Sequence, residues 1–283
     1  MTAEIIPNLK KHRAAATTAG VCEILSGHSA DVVMNEVYKP AFADIPARFL
    51  PSEAIFPDVI ITVGGDGTIL RNSARAVSLN VPLLGINTGT LGFMASVEAD
   101  ELDKLVRLCS GEYTVDKRML LDISVIHDDK PYAFTALNDV VISRPYSKIA
   151  DYTVSVNRNI VTRVRADGIV FSTPTGSTAY ALSAGGPIIE PTLECIEYTT
   201  ICPHSLFSRP MLFSASDSIE VTLSGASDDV YITVDGSEKT DFSISDRIII
   251  TKSKRQLSLI NLNTNTFFDA INNKMMKSLK GEH

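Results

Sequence analysis

The sequence predicts an α/β fold for the first half of the chain and a mostly-β fold for the second. Residues up to about Gly111 alternate helical and extended patterns, as in a parallel sheet with helical crossovers. From Tyr113 onward, β-branched runs are separated by polar turns, which is typical of antiparallel strands. At 283 residues, the chain is long enough for two domains.

The elements of the first half follow one another in the order of a parallel α/β fold. They are a helix at Arg13–Leu25, a strand at Asp31–Val37, a strand at Val59–Val63, a helix at Thr68–Leu79, a strand at Val81–Ile86 and a helix at Ala99–Cys109. We assign residues 1–115 to this α/β domain. The junction near Gly111–Lys117 is the natural place for a cleft.

The second half contains short strands with little helical pattern between them. They are predicted at Leu121–His127, Thr153–Val156, Ile160–Val164, Ile169–Ser172, Ile219–Leu223, Val230–Val234 and Arg247–Thr251. The Asn157-Arg158-Asn159 cluster predicts a hairpin turn. We assign residues 116–265 to a β-rich domain and residues 266–283 to a C-terminal helix that packs back on the first domain.

Composition excludes several classes of partner. A net charge of −7 and a pI near 5.3 argue against nucleic acid and acidic membranes, which both require a basic surface. The four cysteines form no CxxC pair or metal-ligand spacing, which favours reduced thiols in a cytoplasmic protein. The uncharged stretches Ala76–Val97 and Gly168–Ile189 contain Gly, Pro, Ser and Thr, which argues against membrane spans.

The most informative motif is the run Gly64-Gly65-Asp66-Gly67-Thr68, which lies between an apolar strand and a helix. This arrangement presents backbone N–H groups and a helix N-terminus to a phosphate at the carboxyl end of a sheet. An isolated glycine pair would more often form an ordinary tight turn. Three glycines and a helix-capping threonine favour a phosphate cradle that includes Gly65 and Gly67.

Asp66 is unexpected in such a cradle. A carboxylate about 4 Å from a phosphate is repelled by about 4 kcal/mol per charge pair at an effective dielectric near 20. Two explanations remain: the carboxylate meets phosphate through Mg²⁺, or it accepts the proton of a hydroxyl that attacks phosphorus. Arg71, one helical turn later, either neutralises phosphate or is a solvated helix residue.

A second candidate site is the hydroxyl-rich run from Ser172 to Ser183, which follows an apolar strand and turns at Pro174 and Gly176 into a predicted helix. Its hydroxyls and single aromatic ring suit a neutral, hydrogen-bonding nucleoside. The alternative is an N-capped helix rich in Ser and Thr. The charged Arg165 and Asp167 just upstream favour a binding surface.

Two further candidates are weaker in isolation. Asn138 and Asp139 precede an apolar strand, and adjacent strand residues reach one ligand only where the strand ends or bulges. Phe93 lies in a glycine-rich loop from which it could stack on a base, although an aromatic residue in an apolar stretch usually belongs to the core.

Five ordered motifs resemble those of the NAD kinases. They are Gly64–Thr68, Gly85–Phe93, Ala136-Leu137-Asn138-Asp139, Arg165-Ala166-Asp167-Gly168 and Thr173–Pro187. The first run is shared with diacylglycerol kinases and phosphofructokinases, whereas the ordered set is specific. The resemblance implies a Rossmann-like α/β domain, a sandwich-like β domain, dependence on Mg²⁺ or another divalent metal, and a homodimer or homotetramer.

The resemblance also implies a reaction and the residues that perform it. ATP, or polyphosphate, would phosphorylate the 2′-hydroxyl of the adenosine ribose of NAD, and Asp66 would accept the proton. Gly67 would bind through its backbone and Arg71 would lie near phosphate. Phe93 would lie by the adenine, and Asn138 with Asp139 would hold the ribose and phosphate region. The rest of the dinucleotide site, some of it reached from a neighbouring subunit, would be lined by Arg165, Asp167, Thr178, Ala179, Tyr180 and Ser183.

The clearest departure from the family pattern is Asp235-Gly236-Ser237-Glu238, where many relatives resemble Asp-Gly-Gln. Two alternative functions make different demands on the motifs. A lipid or sugar-phosphate kinase would keep the glycine cradle without the Thr178–Ser183 nucleoside face. A non-catalytic NAD(P) sensor would keep that face but would not use Asp66. Asp66 therefore distinguishes a kinase from a sensor.

Overall fold

The chain forms two compact units in a computed structural model. The structure describes residues 1–42, 44–89, 92–127, 130–145, 148–224, 229–263 and 267–272. Unit 1 contains Met1–Lys117 and Leu257–His283, and unit 2 contains Arg118–Gln256. The second unit is therefore inserted into the sequence of the first.

Unit 1 is an α/β unit. Its strands are β1 (Thr2–Pro7), β2 (Asp31–Asn35), β3 (Arg48–Leu50), β4 (Val59–Gly64), β5 (Leu83–Asn87) and β6 (Val97–Glu98). Its helices are α1 (Ala14–Gly27), α2 (Asp66–Leu79) and α3 (Leu105–Ser110).

Five strands of unit 1 form a parallel sheet in the order β5-β4-β1-β2-β3, and β6 pairs in parallel with β5. Leu259, near the end of the last strand of the chain, pairs in parallel with Leu83 of β5. One face of the sheet packs with α1 and α3 in a single apolar core. On the opposite face, Arg75 of α2 donates to the carboxylate of Glu4 on β1. Helices thus cover both faces, and the predicted Rossmann-like sheet is confirmed.

Unit 2 consists almost entirely of strands. They are β7 (Thr114–His127), β8 (Lys130–Ala136), β9 (Asp139–Ser143), β10 (Ala150–Val156), β11 (Asn159–Ala166), β12 (Gly168–Ser172), β13 (Cys195–Ile201), β14 (Met211–Ser214), β15 (Ile219–Leu223), β16 (Val230–Val234), β17 (Ser237–Phe242) and β18 (Arg247–Asn261). β7 begins in unit 1, and β18 ends there.

Two sets of antiparallel strands build this unit. One includes the ladder β11-β10-β15-β18 and the pair β7-β8. The other, which we call sheet B, has the order β14-β13-β12-β9-β16-β17. Apolar residues from both sets, such as Leu121, Tyr152 and Phe171, share one buried core. The predicted sandwich-like fold is confirmed.

The outer face of sheet B carries a smaller apolar cluster. Val141 and Val170 pack there against Ala181, which belongs to the short helix α4 (Tyr180–Ser183). The segment after Pro174 was predicted to form a helix. It forms only a 3₁₀ turn at Gly176–Thr178 and the four-residue α4, because its hydroxyls bond to nearby backbone groups.

The structure corrects three other predicted elements. The predicted helix at Ala99–Cys109 is a 3₁₀ turn at Leu102–Lys104 followed by α3. Helix α2 begins at Asp66, two residues earlier than predicted, so Thr68 lies inside the first turn. Strand β1 was not predicted, although it lies at the centre of the parallel sheet.

The hairpin turn is confirmed. Val156 pairs with Asn159, which leaves Asn157 and Arg158 as a two-residue loop in which both residues have positive φ. Of the predicted C-terminal helix, residues 267–272 are helical, and 266 and 273–283 lie outside the described residues. Among the helices that the structure describes, none is long and apolar enough to cross a membrane.

Candidate active site

A polar cavity in unit 1 lies where three neighbouring parallel strands end. β1 leads into Asn8, β4 into Gly65, and β5 ends at Asn87. The cavity measures about 360 Å³ and is lined by Asn8, Lys11, Gly64, Gly65, Asp66, Gly67, Thr68, Arg71, Asn87, Gly89 and Gly92. The carboxyl ends of parallel strands are the usual ligand site of such sheets. We call this cavity the cradle.

Among the described residues that line the cradle, Asp66 is the only acidic one. Its Oδ2 accepts a hydrogen bond from the backbone N–H of Phe93 at 2.7 Å, and its Oδ1 accepts one from Met94 at 3.2 Å. A carboxylate has about four acceptor positions, so two remain for other partners. The backbone thus orients the carboxylate without consuming its capacity to accept a proton.

Gly92 is required beside this carboxylate. A Cβ atom at position 92 would lie 2.1 Å from Oδ1 of Asp66, far inside van der Waals contact. Thr90 and Leu91 of the same predicted motif lie outside the described residues. The glycine therefore allows the loop backbone to reach Asp66 closely enough to hydrogen bond.

Thr68 organises the cationic side of the cradle. Its Oγ1 accepts hydrogen bonds from Arg71 Nη2 and Asn8 Nδ2, each at 3.4 Å. Arg71 is exposed, as is Lys11, which also lines the cradle. Two cations and the first turn of α2 therefore face a space that also holds one carboxylate.

In unit 2, a single carboxylate holds the turn that contains Asn138 and Asp139. Asp235 accepts hydrogen bonds from the backbone N–H groups of Leu137, Asn138 and Asp139 at 2.9, 2.8 and 3.2 Å. β9 begins at Asp139, so Asn138 precedes the strand. The two side chains therefore meet the condition for contact with a single ligand, which adjacent residues inside a strand do not. The buried Oδ1 of Asn138 has no hydrogen-bond partner among the described residues. Sequence reasoning noted Asp235 only as a departure and did not predict this contact.

Asp139 is buried among other acids. Burial raises the pKa of its carboxyl to about 7, and the nearby charges of Asp235 and Glu197 add to the increase. This carboxyl can therefore donate or accept a hydrogen bond near neutral pH.

The hydroxyl-rich run packs directly against this turn. The backbone N–H of Thr173 donates to the carbonyl of Asn138, and Thr173 Oγ1 donates to the carbonyl of Leu137. A Cβ at Gly176 would lie 2.1 Å from the carbonyl oxygen of Asn138, which requires glycine there. Within the run itself, the hydroxyls of Ser177 and Thr178 donate to the carbonyls of Pro174 and Thr175. These two hydroxyls thus stabilise the backbone of the run.

Tyr180 lies beside the acidic groups of unit 2, with 46% of its surface exposed. The pKa of its hydroxyl is raised, first by burial and then by four neighbours: Tyr231, Cys202, Asp139 and Asp167. The partly exposed Ala179 precedes it, and the exposed Ser183 follows three residues later. We call Asn138, Asp139, Asp167 and Tyr180 the polar face of unit 2. Tyr231 and Cys202 were not predicted as part of it.

Arg165 and Phe93, two further predicted site residues, lie outside the polar face of unit 2 as defined above. Arg165 forms an exposed ion pair with Asp151 on the adjacent strand, at 3.0 Å. Phe93 is half-buried rather than part of the core, and its backbone N–H contacts Asp66. No described group of three or more His, Cys, Asp or Glu residues forms a metal site by itself.

The cradle defines a class of protein. Backbone donors and two cations attract phosphate, whereas a carboxylate among them repels it unless a proton or a metal ion lies between. This combination, on a parallel α/β unit, is that of a phosphotransferase.

Comparison with known proteins identifies the family within this class. A family model described as the ATP-NAD kinase N-terminal domain matches residues 4–113, and one described as the ATP-NAD kinase C-terminal domain matches residues 137–262. The NAD kinase of Thermoanaerobacter sp. (strain X514) is 38% identical, over 96% of this chain and 97% of that protein. The NAD kinase of Thiobacillus denitrificans is 36% identical, over 92% and 91%. The chain belongs to the NAD kinase family.

Solved structures agree with this assignment. Yeast NADH kinase complexed with NADH has a TM-score of 0.86 and 27% identity, over 96% of this chain and 86% of that one. An NAD kinase from Archaeoglobus fulgidus in complex with ATP has a TM-score of 0.72 and 28% identity, over 97% and 98%.

Proposed function

We propose that this protein phosphorylates the 2′-hydroxyl of the adenosine ribose of NAD, with ATP as the phosphoryl donor. The observation that carries the proposal is Asp66, a carboxylate held by two backbone donors inside a phosphate cradle. A sensor of NAD(P) has no use for this carboxylate. The relatives named as NAD kinases and the two structures with NADH and ATP support the choice of substrates.

The reaction requires one proton acceptor and one phosphate site. The 2′-hydroxyl gives its proton to Asp66 while its oxygen forms a bond to the γ-phosphorus. The bond from that phosphorus to the β-bridging oxygen breaks, and ADP leaves. In this proposal Gly65 and Gly67 bind phosphate through the backbone, and Arg71 and Lys11 neutralise its charge.

The polar face of unit 2 is assigned to the dinucleotide. Asn138 offers an amide oxygen that has no hydrogen-bond partner among the described residues, and Asp139 can hydrogen bond to ribose hydroxyls. Tyr180 offers an exposed ring for stacking, and Ser183 offers a hydroxyl. Asp167, Thr178, Ala179 and Phe93 are assigned to the same ligand, and Arg165 would join them after leaving Asp151.

We also propose that a divalent cation, Mg²⁺ in the first instance, enters with the phosphates of ATP. Mg²⁺ typically takes one or two protein carboxylates and completes its shell with phosphates and water. Asp66 is the carboxylate in the cradle that would face it. When bound, the ion would neutralise charge on the phosphates. Removal of metal by a chelator should abolish turnover, and added Mg²⁺ should restore it.

We propose further that the active protein is a homodimer or homotetramer. The loop before the edge strand β14 exposes Leu206 and Phe207, which are 88% and 90% accessible, and Leu212 on β14 is half exposed. Adjacent exposed apolar side chains beside an unpaired strand edge favour association. Light scattering should show an oligomer that Leu206→Ser with Phe207→Ser weakens, whereas a fully active wild-type monomer contradicts the proposal.

Mixing experiments can show whether neighbouring subunits share a site. If Asp167 serves the site of a neighbour, inactive Asp66→Asn and Asp167→Ala chains should regain activity together. Activity per protomer should also fall on dilution below the assembly constant.

The direct test of the function is incubation of the purified protein with NAD, ATP and Mg²⁺, followed by detection of NADP. Polyphosphate in place of ATP tests the donor. Lack of NADP formation with either donor, by protein that is folded, overturns the proposal. Phosphorylation of a lipid or sugar phosphate instead would assign the chain to the alternative kinase class.

A further inference from the structure

Glu197 is a buried carboxylic acid for which the proposed reaction has no role. Its side chain, on β13, is 0% exposed. Oε1 accepts a hydrogen bond from Thr199 Oγ1 at 2.9 Å. Oε2 is buried without a hydrogen-bond partner, and Glu197 forms no ion pair within the part of the chain that the structure describes. A charge in this position would be poorly solvated.

The pairing of sheet B places Glu197 on the same face as Asp139. Glu197 lies opposite Ser172 of β12, and Ser172 lies opposite Asp139 of β9. Residues directly opposite each other point to the same side, so one strand separates the two acids, about 10 Å at two strand spacings. Charge on Glu197 raises the pKa of Asp139, and of Cys195 on its own strand. Charge on Glu197 and charge on Asp139 therefore disfavour each other.

The chain segment after Tyr180 covers this acid. A Cβ at Gly186 would lie 1.9 Å from Oε1 of Glu197 and 2.9 Å from Oγ1 of Thr199, so the Gly186 backbone rests on both side chains. The N–H of Gly186 donates to the carbonyl of Ala181 at 2.9 Å. Because Ala181 follows Tyr180, the position of Tyr180 depends on this contact. Gly186 contributes backbone alone, with no charge to balance Glu197.

We propose that protonated Glu197 is a positioning residue that holds the Tyr180–Gly186 segment on sheet B, and that loss of its proton loosens the segment and weakens NAD binding. The second part rests on the proposed role of Tyr180 in binding NAD. Burial raises the pKa of Glu197 to about 7, although the hydrogen bond from Thr199 opposes the increase. Above that pH, water must enter between β13 and the segment to solvate the charge, which displaces Tyr180.

Hydrogen exchange of the ligand-free protein tests the first part without any reliance on catalysis. Wild type is compared with Glu197→Gln, and with the control Glu194→Gln at a half-exposed position on the preceding loop. At about pH 8.5, the amides of Ala184 and Gly186 should exchange about tenfold faster in wild type than in Glu197→Gln; at about pH 6 they should not differ. Comparison at equal pH cancels the intrinsic rate. The same ratio at both pH values overturns the proposal.

A second variant, Thr199→Val, should shift the pH at which the Tyr180–Gly186 segment loosens. Thr199→Val removes the hydroxyl that lowers the pKa of Glu197, so the pH at which the segment loosens should increase. A midpoint that stays in place or decreases contradicts a role for this proton, even if Glu197→Gln folds poorly.

Kinetics test the link to NAD. In wild type the KM for NAD should increase above pH 7 with little change in kcat, and Glu197→Gln should reduce that increase and leave the part that comes from Asp139. Exchange that depends on pH together with a KM that does not would overturn the link to NAD and the role of Tyr180. The effect of Glu197 on the segment would still be established.

Discussion

The two polar regions of the molecule hold their acids in opposite ways. In the cradle, Asp66 accepts hydrogen bonds from two backbone N–H groups and is close to Arg71 and Lys11. In unit 2, burial raises the pKa of Asp139 to about 7, and the charges of Asp235 and, across one strand, of Glu197 add to the increase. One region surrounds a carboxylate with donors and cations, and the other surrounds it with further acids.

In the proposed function, this difference separates chemistry, assigned to the cradle, from recognition of the dinucleotide, assigned to unit 2. Phosphates carry several negative charges and need the cationic region, whereas a ribose and a base are neutral and tolerate acidic neighbours. A protein that joins a phosphate donor to a dinucleotide benefits from both. The following predictions test this division of roles.

The largest effect is expected for Asp66→Asn. The amide cannot accept the proton, so kcat should fall about 10² to 10⁴-fold. NAD binding, assigned mainly to unit 2, should persist. The amide nitrogen would also face a backbone N–H of Phe93 or Met94 without an acceptor, which should cost about 1–3 kcal/mol of stability.

Three measurements are needed for this variant: turnover, NAD affinity by calorimetry, and thermal unfolding. Asp100→Asn, at an exposed position in the same unit, is the matched control. Normal turnover by Asp66→Asn would remove Asp66 from the reaction.

Gly92→Ala should have the next largest effect. The added Cβ would lie 2.1 Å from Oδ1 of Asp66, so the carboxylate has to move. A misplacement of about 1 Å costs about 10²-fold in rate. Gly27→Ala is the control, since no atom lies within 4 Å of a Cβ at that position. If steady-state kinetics give equal kcat for both variants, the orientation of Asp66 by the loop is unimportant.

Tyr180→Ala should weaken NAD binding by about tenfold, because stacking of a base on an aromatic ring contributes about 1–3 kcal/mol. Tyr132→Ala is a close control, as the two rings are 46% and 48% exposed in the same unit. Stability should be unchanged in both. If calorimetry finds equal NAD affinity for the two variants, Tyr180 does not stack on a base of NAD.

The smallest effect concerns stability and pH. The pKa of Glu197 is 4.5 when unfolded and about 7 when folded, so the folded state binds the proton more tightly. The contribution of Glu197 to the free energy of unfolding is therefore complete below pH 4.5 and is lost as pH rises through about 7. Denaturant unfolding should show a decline about 1–2 kcal/mol smaller in Glu197→Gln than in Glu194→Gln. If the free energies of unfolding of the two variants change equally with pH, Glu197 is not buried as described.

Sequence alone predicted what depends on neighbours in the chain. The run from Gly64 to Thr68 contains its strand end, glycine turn and helix start within five residues, so its geometry follows from local rules. The two-residue hairpin loop at Asn157 and Arg158 is equally local. The alternation of elements was sufficient to predict the parallel sheet and the β-rich unit.

Contacts between distant residues were not predictable. Asp235 holds the Asn138 turn across 97 residues of sequence, and Glu197 interacts with Asp139 only through the order of strands in sheet B. Strand β1 was missed because Glu4 interrupts its apolar pattern, and its ion pair with the distant Arg75 of α2 is not visible in the local sequence. Single-sequence patterns contain no information on such partners.

The last strand sets an order for biosynthesis. Leu259 of β18 completes the pairing of β5 in unit 1, yet all of unit 2 precedes residue 257. During translation, every residue of unit 2 emerges from the ribosome before unit 1 can complete its sheet. The inserted unit is thus the first to have its whole sequence available for folding, whereas β5 gains its pairing with β18 only after the C-terminal strand has been synthesised.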